Sequence, residues 1–291
     1  MIWLAVFLRI LANPFSNVFQ KVLTRKSADP LFIIFATHAL LSVVCLPICL
    51  YYVSGLSRAV WLNISISAVL AVIGNALIVQ AMKWSDLSVL GPINAYKSIV
   101  SLVPGMVLLH EFPGRLGASG MALIVAGSYF LVDKNVKEPT RNLFVRFFSE
   151  KGVQYRFIAL IVSAVEAIFL KRALFASSPL IAFAFWSVLG CGVSLAAVAV
   201  MMGGRVRQQI VVFRASQPAY LMLFVTTGLM QLCTLITLKE LKVGYALALF
   251  QTSTLLSVVL GYKVFQERNI LERLIGSMVM VAGAALIIIG R

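Results

Sequence analysis

Gly120-Met-Ala-Leu-Ile-Val-Ala-Gly127 and Gly276-Ser-Met-Val-Met-Val-Ala-Gly283 decide how this chain is read, because they are two versions of one passage. Each opens a long apolar run, the first to Val132 and the second to Ile288, with small residues along one helical face. Each follows a glutamate by nine residues, Glu111 and Glu267, and the offset between the pairs is 156 residues. A chain that repeats itself at about half its length suggests two copies of one architectural unit. If each copy holds an odd number of membrane spans, the second inserts upside down relative to the first, as in many secondary transporters.

Composition supports lipid as the main solvent. Of 291 residues, 61% are hydrophobic and only 12% charged, about half the charged fraction of a soluble domain. The net charge of +15 raises a nucleic-acid partner as a reading. It is rejected, because most Lys and Arg residues sit at the ends of apolar runs, where they determine topology. The apolar start at Ile2 has no basic segment before it and no small-residue cleavage site after it, so a retained first span is expected there.

A span needs about 20 mostly apolar residues. Ten such runs are expected, near 2–23, 31–53, 60–82, 87–109, 115–132, 156–175, 180–202, 219–238, 243–265 and 271–290. The expected fold is therefore all-α and integral to the membrane, with ten helices forming two inverted five-helix repeats around a central cavity. Residues 1–133 form the first repeat, 134–155 a basic connecting loop, and 156–291 the second repeat. Further matches support the repeat: Lys83 with Lys239 and Asn75 with Gln231 at an offset of 156, Lys21 with Lys171 and Asn13 with Ser163 at 150. In the connecting loop, Phe144, Phe147 and Phe148 fall at helical spacing among basic residues, compatible with either a short interfacial helix or a solvated linker.

Loops after the odd-numbered spans, with their flanks, hold 16 of the 25 Lys and Arg residues, and the alternate loops with the C-terminus hold seven. The positive-inside rule then puts both termini outside the cell (inner or plasma) membrane.

Two ionisable groups fall near span centres, Lys97 in the fourth and Glu166 in the sixth. Each costs roughly 2.5–3.5 kcal/mol there on insertion scales, so each is expected to face a partner or a water-filled cavity. Lys97 follows the Gly91-Pro92 break and stands beside Asn94; a broken helix carrying amides and a cation suits an anionic group at the midplane. The bland alternative is an ion pair between Lys97 and Glu166 that joins the halves. Asn17, Asn75, Gln231 and Gln251 add carboxamides in other spans, as cavity lining or as helix-to-helix glue. Asn17, Asn75, Asn94, Lys97, Glu166, Gln231 and Gln251 are the candidate substrate-binding residues. Lys97 would hold a carboxylate or phosphate, and Glu166 an amine or a proton. His38 reads as structural, Trp186 as packing, and the glycine faces of spans five and ten as packing or homodimer contacts. Cys45 and Cys49 share a face without further metal-ligating residues nearby, and no catalytic motif or cofactor site emerges.

With these residues in view, the chain resembles the drug/metabolite transporter superfamily, EamA-type branch. Ser16-Asn17-x-x-x-Lys21 is similar to that family's first-span motif. Asn75-Ala-Leu77 followed by Leu87 through Pro92 is similar to its passage from third to fourth span, and Glu111 and Glu267 to its repeated ends. Lys239 to Arg291 also resembles a small multidrug resistance subunit. The resemblance implies two inverted five-span bundles, alternating access without ATP, and export or exchange of small metabolites such as amino acids, sugar phosphates or nucleotide derivatives. Asn13 or Ser163 stands near the place where those small subunits carry a proton-binding glutamate. Ten-span relatives usually keep both termini in the cytoplasm, against the charge count. Expected partners are a small polar metabolite, protons or a counter-substrate, and membrane lipid. Two alternatives remain open at this level: a flippase for a polar lipid or lipid-linked sugar, and a membrane scaffold that transports nothing.

Overall fold

The helices begin where the sequence offers a cap. Asp29 accepts a hydrogen bond from the Leu31 amide at 2.9 Å, with Pro30 in the first turn, and Ser178 accepts one from Ile181 ahead of Pro179. Ser57 does the same for Val60. These side chains satisfy amides that lack an intrahelical partner, and proline loses nothing at a first turn. The computed structural model describes residues 2–97, 100, 114–128, 130, 149–241 and 243–289.

Twelve α-helices are found among those residues. They are α1 Ile2–Arg25, α2 Pro30–Tyr52, α3 Arg58–Trp84, α4 Leu87–Leu90, α5 Arg115–Ser128, α6 Lys151–Phe175, α7 Pro179–Met202, α8 Arg205–Ala215, α9 Gln217–Glu240, α10 Val243–Gln251, α11 Ser253–Phe265 and α12 Ile270–Ile289. A 3-10 turn, Pro92–Ala95, follows α4. By length and composition, α1, α2 with the turn after it, α3, α7 and α9 are able to cross a membrane, and Arg115–Gly127 and Leu249–Phe265 are shorter apolar helices.

Side chains are sorted as lipid requires. On α1, Trp3, Leu4 and Phe7 point outward, whereas Ser16, Asn17, Gln20 and Lys21 are buried. On α2 and α7, Val43, Val44, Leu50, Val200 and Met201 are exposed. Apolar surface turned outward and polar groups turned inward is the arrangement of a multi-pass membrane protein.

Four pairings dominate the packing: α3 with α6, α5 with α12, α1 with α9, and α2 with α7. The two glycine stripes meet in the second of these. A methyl added to Gly127 would come within 2.8 Å of the Gly276 carbonyl, and one added to Gly283 within 2.6 Å of the Gly120 carbonyl. Backbone therefore touches backbone, and the small residues found in the sequence are used within the chain.

The structure moves some expected boundaries. The helix that covers the expected sixth run begins at Lys151, not at 156, because Arg156 is a buried residue of α6 and not a marker of its end. The ninth span is divided at Thr252 into α10 and α11. Helix α8 was not foreseen; its Gln209 accepts a hydrogen bond from the Asp29 amide at 2.8 Å and ties it to the start of α2. His110, Glu111 and the three loop phenylalanines lie outside the described residues.

Candidate functional site

Two interruptions of helix bring irregular backbone to the same place. After α4 the chain passes through Gly91 and the turn Pro92–Ala95. Between α10 and α11 the Thr252 amide bonds back to Leu249, and Leu255 to Thr252, both at 3.3 Å. Gly91 is required by close approach, since a methyl there would lie 2.8 Å from the Cβ of Ser257 on α11. Asn94 and Lys97 leave the first break, and Gln251 and Ser253 the second, to line one cavity of about 130 Å³. Irregular backbone at membrane depth is tolerated where it lines such a cavity.

All seven candidate residues of the sequence reading line this cavity: Asn17, Asn75, Asn94, Lys97, Glu166, Gln231 and Gln251. Asn13 and Ser163 line it too. Two residues that sequence reasoning passed over join them. Arg9 donates from Nε to Thr234 at 2.8 Å and lies 4.4 Å from the centre of the Phe250 ring. Arg156 donates to the Leu90 carbonyl at 3.2 Å and to Asn94 Oδ1 at 2.8 Å, so it satisfies the interrupted helix and orients the amide. Arg9 was visible as an arginine within a span. Arg156 was hidden by its position near a basic loop; its apolar neighbours Val153, Tyr155 and Phe157 are the signal that the span had already begun.

Lys97 interacts electrostatically with Glu166, Arg9 and Arg156. The alternative of a Lys97–Glu166 ion pair is not what the structure has: the ion pairs among the described residues all lie at another place. Glu166 instead accepts a hydrogen bond from Trp186 Nε1 at 3.3 Å. Trp186 is buried against the ring of His38, with centroids 4.6 Å apart. It thus packs, as expected, and also positions the carboxylate. Five buried polar atoms of the cavity have no hydrogen-bond partner among the described residues: Arg9 Nη1, Asn17 Nδ2, Gln20 Oε1, Gln231 Nε2 and Gln251 Oε1. Orphaned polar atoms are rare and costly in a folded interior, so their concentration here points to a ligand or water.

A second, larger cavity of about 430 Å³ lies at the end of the bundle where Lys21, Lys83, Asp86, Glu150 and Arg273 meet. Its floor is a buried ion network. Lys21 Nζ sits 2.7 Å from Glu267 Oε1 and 3.6 Å from Asp86 Oδ1. Arg273 bonds Asp86 at 3.0 Å, reaches Glu267 at 3.8 Å and contacts Ser88 Oγ. Glu267 also accepts the Leu87 and Ser88 amides, each at 2.9 Å, and so occupies the N-terminus of α4. Its approach depends on Gln266, whose φ of 57° turns the chain back over the end of α11, and on Gly261, where any side chain would strike the carboxylate. Glu267 belongs to the connection between α11 and α12. Burial alone would push its carboxyl up; the Lys21 ammonium and the hydrogen bonds from Lys21 and Ser88 outweigh burial and hold it below the ordinary value.

At the opposite end the equivalent lysine has different partners. Lys171 donates to the carbonyls of Leu238, Lys239 and Leu241, and Lys239 to those of Leu174 and Ser177. Cations placed on helix C-termini in this way cap carbonyls that lack intrahelical partners. No group of three or more metal-ligating side chains is found among the described residues, and Cys45 and Cys49 are buried free thiols.

The model of the EamA-like transporter family matches residues 2–133 and 150–289. Among curated proteins none matches the chain. Among solved structures, one titled only as the crystal structure of a protein superposes with a TM-score of 0.65 at 14% identity, covering 97% of this chain and 94% of that one.

Proposed function

The chain belongs to the EamA-like transporter family, and on that premise we propose that it is a secondary transporter carrying a small polar metabolite with an anionic group. Membership places it in the drug/metabolite transporter superfamily as a multi-pass membrane transporter. The observation that carries the finer reading is the 130 Å³ cavity, where five orphaned polar atoms surround three cations and one carboxylate. In this reading Lys97, flanked by Arg9 and Arg156, meets the anionic group. Glu166 takes an amine or a proton. Asn17, Asn75, Asn94, Gln231 and Gln251 fix orientation.

Alternating access by two inverted halves, 1–133 and 156–291, is part of the same proposal. Packing supports it. Exchanging the halves turns the α1–α9 pairing into the α6–α3 pairing, and leaves α2–α7 and α5–α12 unchanged. The broken spans are exchanged likewise. The positive-inside count would place the Lys21 end, with the basic helix α8, in the cytoplasm and both termini outside.

The test is thermal unfolding of the detergent-purified protein against anionic, zwitterionic and cationic metabolites. A ligand of the folded state at a hundred times its Kd adds about 2.7 kcal/mol of stability. We expect stabilisation by anionic members, lost in Lys97→Ala and altered in Glu166→Gln. Stabilisation by none of the panel, with both variants merely less stable, would return the polar residues to the role of scaffold.

A further inference from the structure

We infer that α8 is a docking surface for anionic phospholipid, independent of what the central cavity carries. Arg207 and Arg214 hold the lipid phosphates, and Ile210 and Val211 enter the acyl boundary. The inference starts from the two faces of this short helix. Val206, Gln209 and Phe213, at i, i+3 and i+7, face the protein. Gln209 is buried, Val206, Val212 and Phe213 pack against the core, and the Phe213 ring lies 4.7 Å from that of Tyr220. Arg207, Ile210, Val211 and Arg214, at i, i+3, i+4 and i+7, form the opposite face, and all four are exposed. No acidic residue occurs between Glu166 and Glu240. Arg205 donates to the Met201 carbonyl at the end of α7, whereas Arg207 and Arg214 have neither a hydrogen bond nor an ion pair among the described residues. Asp29 touches α8 only through its backbone amide, and its carboxylate is turned to the Leu31 amide.

Depth in the bilayer selects lipid as the partner. Val200 and Met201 at the end of α7 are exposed, and so are Leu221 and Met222 near the start of α9. Gly203, at a φ of 49°, and Gly204 turn α7 into α8, and Ser216 alone separates α8 from α9. The helix is therefore held where two lipid-facing spans leave the bilayer. A soluble anion would meet the arginines but leave Ile210 and Val211, 42% and 64% exposed, in water. A phospholipid covers both kinds of side chain. Each arginine near an anionic surface contributes about a fivefold preference for it. The inner face carries the effect inward: Gln209 accepts from the Asp29 amide at 2.8 Å and donates to the Ser27 carbonyl at 3.4 Å. A lipid that fixes α8 thus also fixes the connection between α1 and α2.

The experiment measures amide hydrogen exchange of the full chain in nanodiscs of phosphatidylcholine, with and without phosphatidylglycerol. Phosphatidylglycerol should slow exchange in α8 on the order of twentyfold. It should also slow exchange in the connection, residues 26–29, while α7 serves as the unchanged internal standard. Arg207→Gln combined with Arg214→Gln should abolish the slowing. Arg207→Lys combined with Arg214→Lys should keep most of it, which separates loss of charge from loss of fold. Gln209→Ala should keep the slowing in α8 and lose it in the connection. Equal exchange in both lipids, or slowing that survives the double glutamine variant, would overturn the assignment. Equal slowing by inorganic phosphate added to phosphatidylcholine discs would overturn it too, because the face would then serve a soluble anion.

Discussion

The two ends of the bundle carry the same lysine and use it differently. Lys21 and Lys171 lie 150 residues apart in matching positions of α1 and α6. Lys21 is 4% exposed and pairs with the equally buried Glu267. Lys171 is half-buried and caps the backbone carbonyls of α9 and the residue after it. A buried ion pair tied to amide donors is a committed contact: breaking it strands a charge. A lysine on helix-end carbonyls can exchange them for water at little cost. The same sequence feature thus makes one end a closed ion network and the other a looser tie.

The largest expected effect comes from Lys21→Ala. It leaves Glu267 buried with Arg273, at 3.8 Å, as its only cation among the described residues, and should cost about 3–5 kcal/mol in thermal unfolding. A loss no greater than that of Lys171→Ala would erase the distinction between the ends.

The distinction also has a pH signature. Because the folded state holds the Glu267 carboxyl below its ordinary value of 4.5, its contribution is complete above 4.5 and is lost as pH falls through the folded value. The gap in melting temperature between the parent chain and Glu267→Gln should therefore be widest near neutrality and narrow below 4.5. A gap that stays constant with pH would mean that the carboxylate charge contributes nothing to the network. The smallest effect belongs to Lys171→Ala. Loss of partly hydrated hydrogen bonds at that end should cost about 1 kcal/mol and show no acid dependence between pH 7 and 4.

Much of this was legible in the sequence, for identifiable reasons. Span positions follow from apolar runs, and the spans' starts from Asp29-Pro30 and Ser178-Pro179, since a bilayer imposes one length and one solvent. The seven candidate residues could be picked because a polar group inside a span has few places to face. Arg156 escaped because a charge near a loop reads the same whether it ends a span or lies within one; only the start of α6 at Lys151 decides it. The Lys21–Glu267 contact escaped for another reason. Both residues were noted, but they are 246 positions apart, and no periodicity predicts which lysine a distant glutamate will meet. The break at Thr252 has no glycine or proline to announce it, unlike Gly91-Pro92.

The most direct test of a central site reached from alternating ends is thiol labelling of Asn75→Cys on a chain whose native cysteines have been replaced. Asn75 lines the cavity. An impermeant maleimide would be applied from each side of oriented vesicles, with and without Glu267→Gln. The account predicts that opening the ion network raises labelling from the Lys21 end alone, by about tenfold, and that a bound anion protects the thiol from both sides. Labelling that is unchanged by Glu267→Gln and indifferent to every anion would contradict it.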